Sequence, residues 1–342
     1  MPSTATKKIA YIEIDTHAEI AMRFKELMQD SQQFSVDYYF SERICHLLQC
    51  TPAVPNIFQV NPDTLWTTLS QHEYDGVIIG TMHRYFNLFN AVTQRYRTGI
   101  IGHNFNFIKA SNLQLLGSVF KKERRYRLKL LLKEGLLLKN KVYRQAHQIW
   151  SLDENLTAVV QPELPLFFTK NDLKLPKAAE ERTIVIAGSV SQGRRDYQAV
   201  IEQLSGYQGR FLRVVFLGKA AGQELRWLQD LQKQKAETLD LVFFTEKVPQ
   251  SIFDEWMARA QLLWSPIHTH TAFMSIPEIY GQTKMSGNQA DGITYHKKTL
   301  TSKNLSQVLA ALEEGNSQPN EKVKSKEKVL KNLEKTLIEF CK

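Results

Sequence analysis

ERTIVIAGSVSQGRRDYQAVIEQL, residues 181–204, decides the fold. ERTIVIAGS (181–189) carries the β-branched, apolar run TIVIA, the pattern of a strand buried on both faces. It ends in a Gly/Ser turn, and RRDYQAVIEQL (194–204) then carries apolar residues at helical spacing. Apolar strands separated by helices imply a parallel sheet covered on both faces.

The alternation continues downstream. RFLRVVFLGK (210–219), LDLVFF (239–244) and QLLWSPI (261–267) are strands, separated by helices over 222–234 and 250–260; a loop follows, then a helix from Ser286. Upstream, KIAYIEI (8–14), FSVDYYF (34–40), NIFQV (56–60), DGVIIGT (75–81) and TGIIGHN (98–104) are strands. Helices are expected over 18–30, from Pro62, and over 84–96. QIWSLDENLTAVV (148–160) reads as a strand followed by a helix that Asp153 caps. TKNDLKLPKAAEE (169–181) is polar and lacks periodicity, so it marks a linker. The expected division is a domain over 1–168, the linker 169–181, a second domain over 182–314, and a polar tail with a terminal helix over 315–342.

Composition narrows the function classes. The chain has 342 residues, 43% of them hydrophobic, enough for two cores. No run reaches the ~20 apolar residues that a membrane-spanning helix needs. The N-terminal stretch lacks the apolar core of a secretory leader, and the three cysteines, Cys45, Cys50 and Cys341, show no metal or redox spacing. A cytoplasmic protein is expected. Of the net charge of +9, most sits between Lys121 and Arg144, where ten basic residues face two acidic ones. Such concentration, with only Tyr126 and Tyr143 interleaved, argues against a nucleic-acid binder. The segment mixes leucines with the charges: Leu128, Leu131 and Leu132 share one helical side, Arg127 and Lys129 do not. It reads either as a peripheral helix resting on anionic lipid, at the inner face of the membrane, or as a solvated helix packed inward by its leucines.

Three strand ends in the second half carry chemistry, because open parallel sheets bind ligands at the carboxyl ends of their strands. After Ala187, glycine permits close backbone approach, a helix start offers N–H groups, and Arg194 and Arg195 supply charged forks, a pattern suited to a diphosphate. After Phe244, the loop through Lys247 and Val248 reads either as a plain βα loop or as a slot for a nucleobase. The run from Pro277 to Asn288 offers Glu278 to sugar hydroxyls, and Lys284, Ser286 and Gly287 to a diphosphate.

In their order, these segments resemble the donor domain of GT-B glycosyltransferases, and more narrowly the retaining group with a Pro-Glu-x-(Phe/Tyr)-Gly motif, here Pro277-Glu278-Ile279-Tyr280-Gly281. The resemblance covers about residues 182–300. It implies two Rossmann-like α/β domains facing across a cleft, and transfer of a sugar from a nucleotide-diphosphate sugar to a hydroxyl on a glycan or lipid-linked acceptor, in cell-surface polysaccharide or glycolipid synthesis. The nucleotide sugar is a co-substrate, and no cofactor or metal is expected. The group's second acidic residue falls on Ser286, a departure that marks a divergent member. By the same resemblance Glu278 and His103 are the catalytic candidates, the histidine reaching the donor sugar from the end of TGIIGHN. His17 and Asn104 are placed on the acceptor side. His268-x-His270 lacks a third ligand at metal spacing and reads as a loop. The alternative is a non-catalytic nucleotide- or carbohydrate-binding protein on the same fold.

Overall fold

A computed structural model describes residues 6–50, 54–170, 182–313 and 323–342. The linker from residue 171 onward and the tail over 314–322 lie outside the described residues. The chain divides into two compact units: Met1–Leu166 with His270–Met285 and Lys326–Lys342, and Phe167–Thr269 with Ser286–Ser325.

The first unit begins β1 (Lys7–Glu13), α1 (Ala18–Met28), β2 (Phe34–Phe40), α2 (Glu42–Leu48), β3 (Ile57–Gln59), α3 (Leu65–Leu69), β4 (Gly76–Ile79), α4 (Phe86–Arg95) and β5 (Thr98–Ile101). Four helices follow, α5 (Phe105–Lys109), α6 (Asn112–Val119), α7 (Arg124–Lys133) and α8 (Lys139–Gln145), then β6 (Gln148–Trp150). The sheet is parallel in the order β3-β2-β1-β4-β5-β6. Its strands are apolar on both faces, as a sheet between helices requires: Ile9 to Ile12 and Val77 to Ile79 are fully buried. The chain winds outward from β1 and then restarts at β4, so the switch point lies between the carboxyl ends of β1 and β4.

The second unit contains β7 (Thr183–Ala187), α9 (Tyr197–Ser205), β8 (Leu212–Lys219), α10 (Gly222–Gln234), β9 (Leu239–Phe244), α11 (Gln250–Arg259) and β10 (Leu262–Trp264). The chain then gives the first unit a hairpin, β11 (His270–Phe273) and β12 (Ile276–Ile279), before α12 (Gly287–Tyr295), β13 (Thr299–Leu300) and α13 (Leu305–Glu313) complete the second unit. The sheet order is β13-β10-β7-β8-β9, again parallel, with its switch point between β7 and β10. Finally α14 (Lys326–Phe340) returns to the first unit, burying Leu333 and Leu337 and placing the Phe340 ring 5.0 Å from Trp150.

The structure corrects the sequence reading in four places. Residues 270–285 belong to the first unit, not the second, because Phe273, Met274 and Ile276 enter its core. The loop expected there is a hairpin whose central residues, Met274 and Ser275, both have positive φ (47° and 61°), the geometry of a two-residue β-turn without its usual glycine. Asp153 starts no helix; its carboxylate accepts from the Asn155 amide at 2.9 Å, in a local turn. The basic segment is not one helix: it breaks after Lys133. Leu130 and Leu136 are buried in the core and Leu131 packs against it, while Leu128 and Leu132 are exposed and Arg127 points inward to bond the Ser118 carbonyl and the Ser275 hydroxyl, both at 2.7 Å. The last contact holds the strained hairpin turn from beneath.

Candidate functional site

Each switch point gathers polar side chains. In the first unit Glu13 ends β1, fully buried. Its carboxylate accepts from the amides of Asp15 and Thr16, both at 3.3 Å, and from the Thr81 hydroxyl at 2.7 Å. A Cβ on Gly80 would lie 2.7 Å from Glu13 Oε2, so only glycine fits at the end of β4. Burial raises the Glu13 carboxyl well above the usual carboxylate range.

Three histidines stand on the loops after β1, β4 and β5. His17 has left-handed backbone (φ 60°), which turns its ring onto His103 at a centroid distance of 4.0 Å and an interplanar angle of 7°. His83 meets both rings edge-on, at 6.0 and 5.8 Å. His103 Nε2 donates to the Gly80 carbonyl at 2.8 Å, which leaves Nδ1 as the acceptor of the neutral ring. Asn104 donates its amide to His83 Nε2 at 3.0 Å and accepts from Lys284 Nζ at 2.6 Å. Burial, with the other cationic groups nearby, pushes His83 and His103 well below the ordinary histidine pKa. Both are therefore neutral near pH 7. The imidazoles stack rather than converge, and among the described residues no group of three His, Cys, Asp or Glu is arranged to hold a metal ion.

Glu278 sits beneath this cluster, fully buried. Its carboxylate accepts from the amides of Phe107 (2.8 Å) and Asn106 (3.3 Å) and from the Thr283 hydroxyl (2.5 Å). It thus satisfies the free N–H groups at the start of α5. At the other end buried Lys139 donates to the carbonyls of Phe107, Ile108 and Ala110 at 2.5–2.9 Å. Burial lowers the Lys139 pKa to about 8. Two buried charges therefore clamp a five-residue helix, and with it His103 and Asn104 just before it. Instead of lying open for a sugar, the Glu278 carboxylate is committed to backbone and Thr283, and Lys284 lies in the first unit with Asn104.

The second unit's switch point has no such histidine stack. Gly188 adopts φ +100°, and a Cβ on Gly218 would lie 2.3 Å from the Gly188 carbonyl, so both glycines are required where β7 and β8 end. Arg195 is buried: it donates to the carbonyls of Ala187 (2.5 Å) and Ser189 (3.3 Å) and to Asn288 Oδ1 (2.7 Å). Asn288 also accepts from the Ser265 hydroxyl at 3.3 Å and donates back to Ala187 at 3.1 Å. This network pins the start of α12 to the ends of β7 and β10. Ser286 caps α12 by accepting from the Gln289 amide at 3.3 Å, and Gly287 is exposed in its first turn. Arg194 is exposed beside the Gly188 turn. Lys247 is exposed after β9, while Val248 packs against the nearby core. His268 bonds the Gln192 carbonyl at 2.9 Å within this unit, whereas His270 opens β11 in the first.

Sequence reasoning brought His17, His103 and Asn104 to one place, and Arg194, Arg195, Ser286 and Gly287 to another. It missed Glu13, Thr81 and His83. One signal was available for His83: Gly80-Thr81-Met82-His83 follows a buried strand just as Gly102-His103 does.

No protein-family model matches the sequence, and no curated protein matches it. Solved structures do match. UDP-GlcNAc 2-epimerase from Neisseria meningitidis, with UDP-GlcNAc bound, is similar at TM-score 0.54 and 11% identity, over 97% of this chain and 100% of that one. A second UDP-N-acetylglucosamine 2-epimerase is similar at TM-score 0.51 and 10% identity, over 98% and 97%. The fold is of the GT-B type. MurG from Acinetobacter baumannii also aligns, at TM-score 0.48 and 10% identity, over 98% of this chain and 93% of that one. At such identities the likeness concerns the fold alone.

Proposed function

We propose that the chain is a glycosyltransferase that moves a sugar from a nucleotide-diphosphate donor to a hydroxyl acceptor, in the synthesis of a cell-surface polysaccharide or glycolipid. The observation that carries this reading is that both Rossmann-like units place a polar cluster at their own switch point, one suited to an anion and one to a hydroxyl. In the second unit, the Gly188 turn, Arg194 and the first-turn amides of α12 hold the diphosphate, and Arg195 acts behind them by fixing that geometry. Lys247 and Val248 border the base. In the first unit, His17, His103 and Asn104 receive the acceptor, and Glu278 positions His103 and Asn104 through α5. In a retaining transfer the bond from the anomeric carbon to the leaving diphosphate breaks as the acceptor oxygen bonds the same face, and the leaving phosphate takes the acceptor proton. Arg194 and the helix amides stabilise the departing charge, the work a divalent ion does elsewhere.

The exposed side chains Leu113, Phe120, Leu128 and Leu132 stand among Lys121, Lys122, Arg124 and Arg125. This mixture supports binding to the anionic inner face of a membrane. Among the described residues no helix is long and apolar enough to cross one.

One observation favours the non-catalytic reading: with Ser286 at the position of the second acid and Glu278 fully bonded, neither acid of the retaining motif is open. Turnover decides between them. Nucleotide sugars incubated with glycan acceptors in excess chelator should give the transferred product and free nucleotide. Binding without release of nucleotide would establish the non-catalytic protein, and a changed C2 configuration without transfer would establish an epimerase. Activity abolished by the chelator would refute the role given to Arg194 and α12.

A further inference from the structure

Glu13 is fully buried where β1 ends, and its two carboxylate oxygens serve different loops. Oε1 accepts from the amides of Asp15 and Thr16, both at 3.3 Å, and so folds the chain between β1 and α1. His17 follows directly. It opens α1 in the left-handed region, at φ 60°, with no side-chain bond capping the helix. A residue other than glycine keeps such a conformation only where its surroundings fix it. Oε2 accepts from the Thr81 hydroxyl at 2.7 Å, in the loop after β4. That loop carries two further groups of the cluster. His83 lies two residues beyond Thr81, and the carbonyl of Gly80, just before it, accepts from His103 Nε2 at 2.8 Å. Gly80 packs against the same carboxylate oxygen: a Cβ there would lie 2.7 Å from Glu13 Oε2 and 2.5 Å from the Tyr11 hydroxyl.

We propose that Glu13 is a positioning residue for the acceptor site: by tying the loop after β1 to the loop after β4, it holds His17 over His103 and keeps the His103 proton on Nε2. It touches no reacting atom. Its effect on transfer rests on the acceptor role given to His17 and His103, while its effect on the rings does not. What it supplies is bonding rather than charge. A glutamine keeps both ties, because its oxygen accepts from the two amides and its NH2 group donates to the Thr81 hydroxyl, which then acts as acceptor. A methionine keeps neither.

The test compares Glu13→Met, Glu13→Gln and Thr81→Val in the whole chain, by transfer kinetics and by nitrogen NMR of the imidazoles, with urea unfolding to establish that each is folded under the assay conditions. In wild type, His103 should be protonated on Nε2 alone. Glu13→Met should populate both His103 tautomers and lower kcat roughly 100-fold, the scale of a small misplacement at a reacting group, with donor KM within about twofold. Thr81→Val cuts only the second tie and is nearly isosteric, so it carries the test if Glu13→Met does not fold. It should show the same tautomer change with kcat lowered up to about tenfold, the worth of one hydrogen bond. Glu13→Gln should keep the wild-type tautomer and a kcat within about threefold of wild type, since both ties remain. Full kcat in folded Thr81→Val, or Glu13→Gln as impaired as Glu13→Met, would overturn the proposal. So would a loss of kcat with His103 still protonated on Nε2, which a general weakening of the fold produces without turning the ring. Tautomers that change as stated in a protein without turnover would remove the transfer reading and leave the positioning role. Turnover with wild-type tautomers and kcat in every variant would do the reverse.

Discussion

The two units use the same topological position in opposite ways. At the switch point of the first, the chain places titratable groups whose burial disfavours the charged form: it raises the Glu13 carboxyl and lowers His83 and His103. At that of the second it places backbone amides, two glycines that no other residue replaces, and arginine. Neutral imidazoles suit a hydroxyl, which they can orient through hydrogen bonds. Amides and guanidinium suit a ligand whose negative charge is permanent. One winding rule therefore produces two different sites, and the residues that follow the strands make the difference.

The largest effect tests whether the first cluster depends on the hairpin beneath it. Glu278→Ala leaves the Asn106 and Phe107 amides and the Thr283 hydroxyl without their acceptor, and should cost about 3 kcal/mol in urea unfolding. It should also disturb the His17–His103 stack, visible as shifted imidazole resonances, with UDP affinity unaltered. Unshifted resonances would show that α5 holds itself.

Next, Arg194→Ala should weaken UDP binding roughly tenfold, the scale of one charged hydrogen bond, leaving the first unit's stability unchanged. Unaltered affinity would remove Arg194 from the diphosphate site.

A smaller effect separates the units by pH. The folded-state pKa of His103 is depressed, so its contribution is fully present above the unfolded value of about 6.5 and is lost as pH falls, when the unfolded chain binds the extra proton. Wild type should therefore lose up to about 1.4 kcal/mol more per pH unit below 6.5 than His103→Asn. Glu13, whose pKa is raised, acts with the opposite sign in both proteins and cancels from the difference. Parallel curves for the two proteins would mean that folding leaves the His103 pKa unshifted.

The smallest effect concerns the outer face of the first unit. Neutralising Lys121 or Lys122 should reduce binding to anionic vesicles by at most about 1 kcal/mol each, and the loss should vanish at high salt. Leu132→Asp should weaken binding at any salt. Vesicle sedimentation unchanged in every variant would end the membrane reading.

Much of the α/β alternation was legible because doubly covered strands are apolar throughout, as in TIVIA (183–187). The β7 turn was legible from Gly188 and its arginines. The role of Arg195 was not: an arginine at a helix start reads the same whether it faces a ligand or turns inward to three carbonyl-type acceptors. The hairpin at 270–279 escaped because Met274-Ser275 carries none of the usual turn residues; the strain is sustained by Arg127, more than a hundred positions away in the chain.

By itself the sequence determined the two α/β units, the glycine- and arginine-bearing end of the strand over 183–187, and the concentration of charge between Lys121 and Arg144, because these follow from periodicity and composition over short windows. Only the tertiary structure decided that Glu278 and Lys284 serve the first unit, that Asn288 locks the second, and that His17, His83 and His103 meet. Those outcomes depend on which buried groups find one another across 66 to 180 residues of chain, as in Lys284 with Asn104 and Asn288 with Ala187, and local pattern carries no record of that pairing.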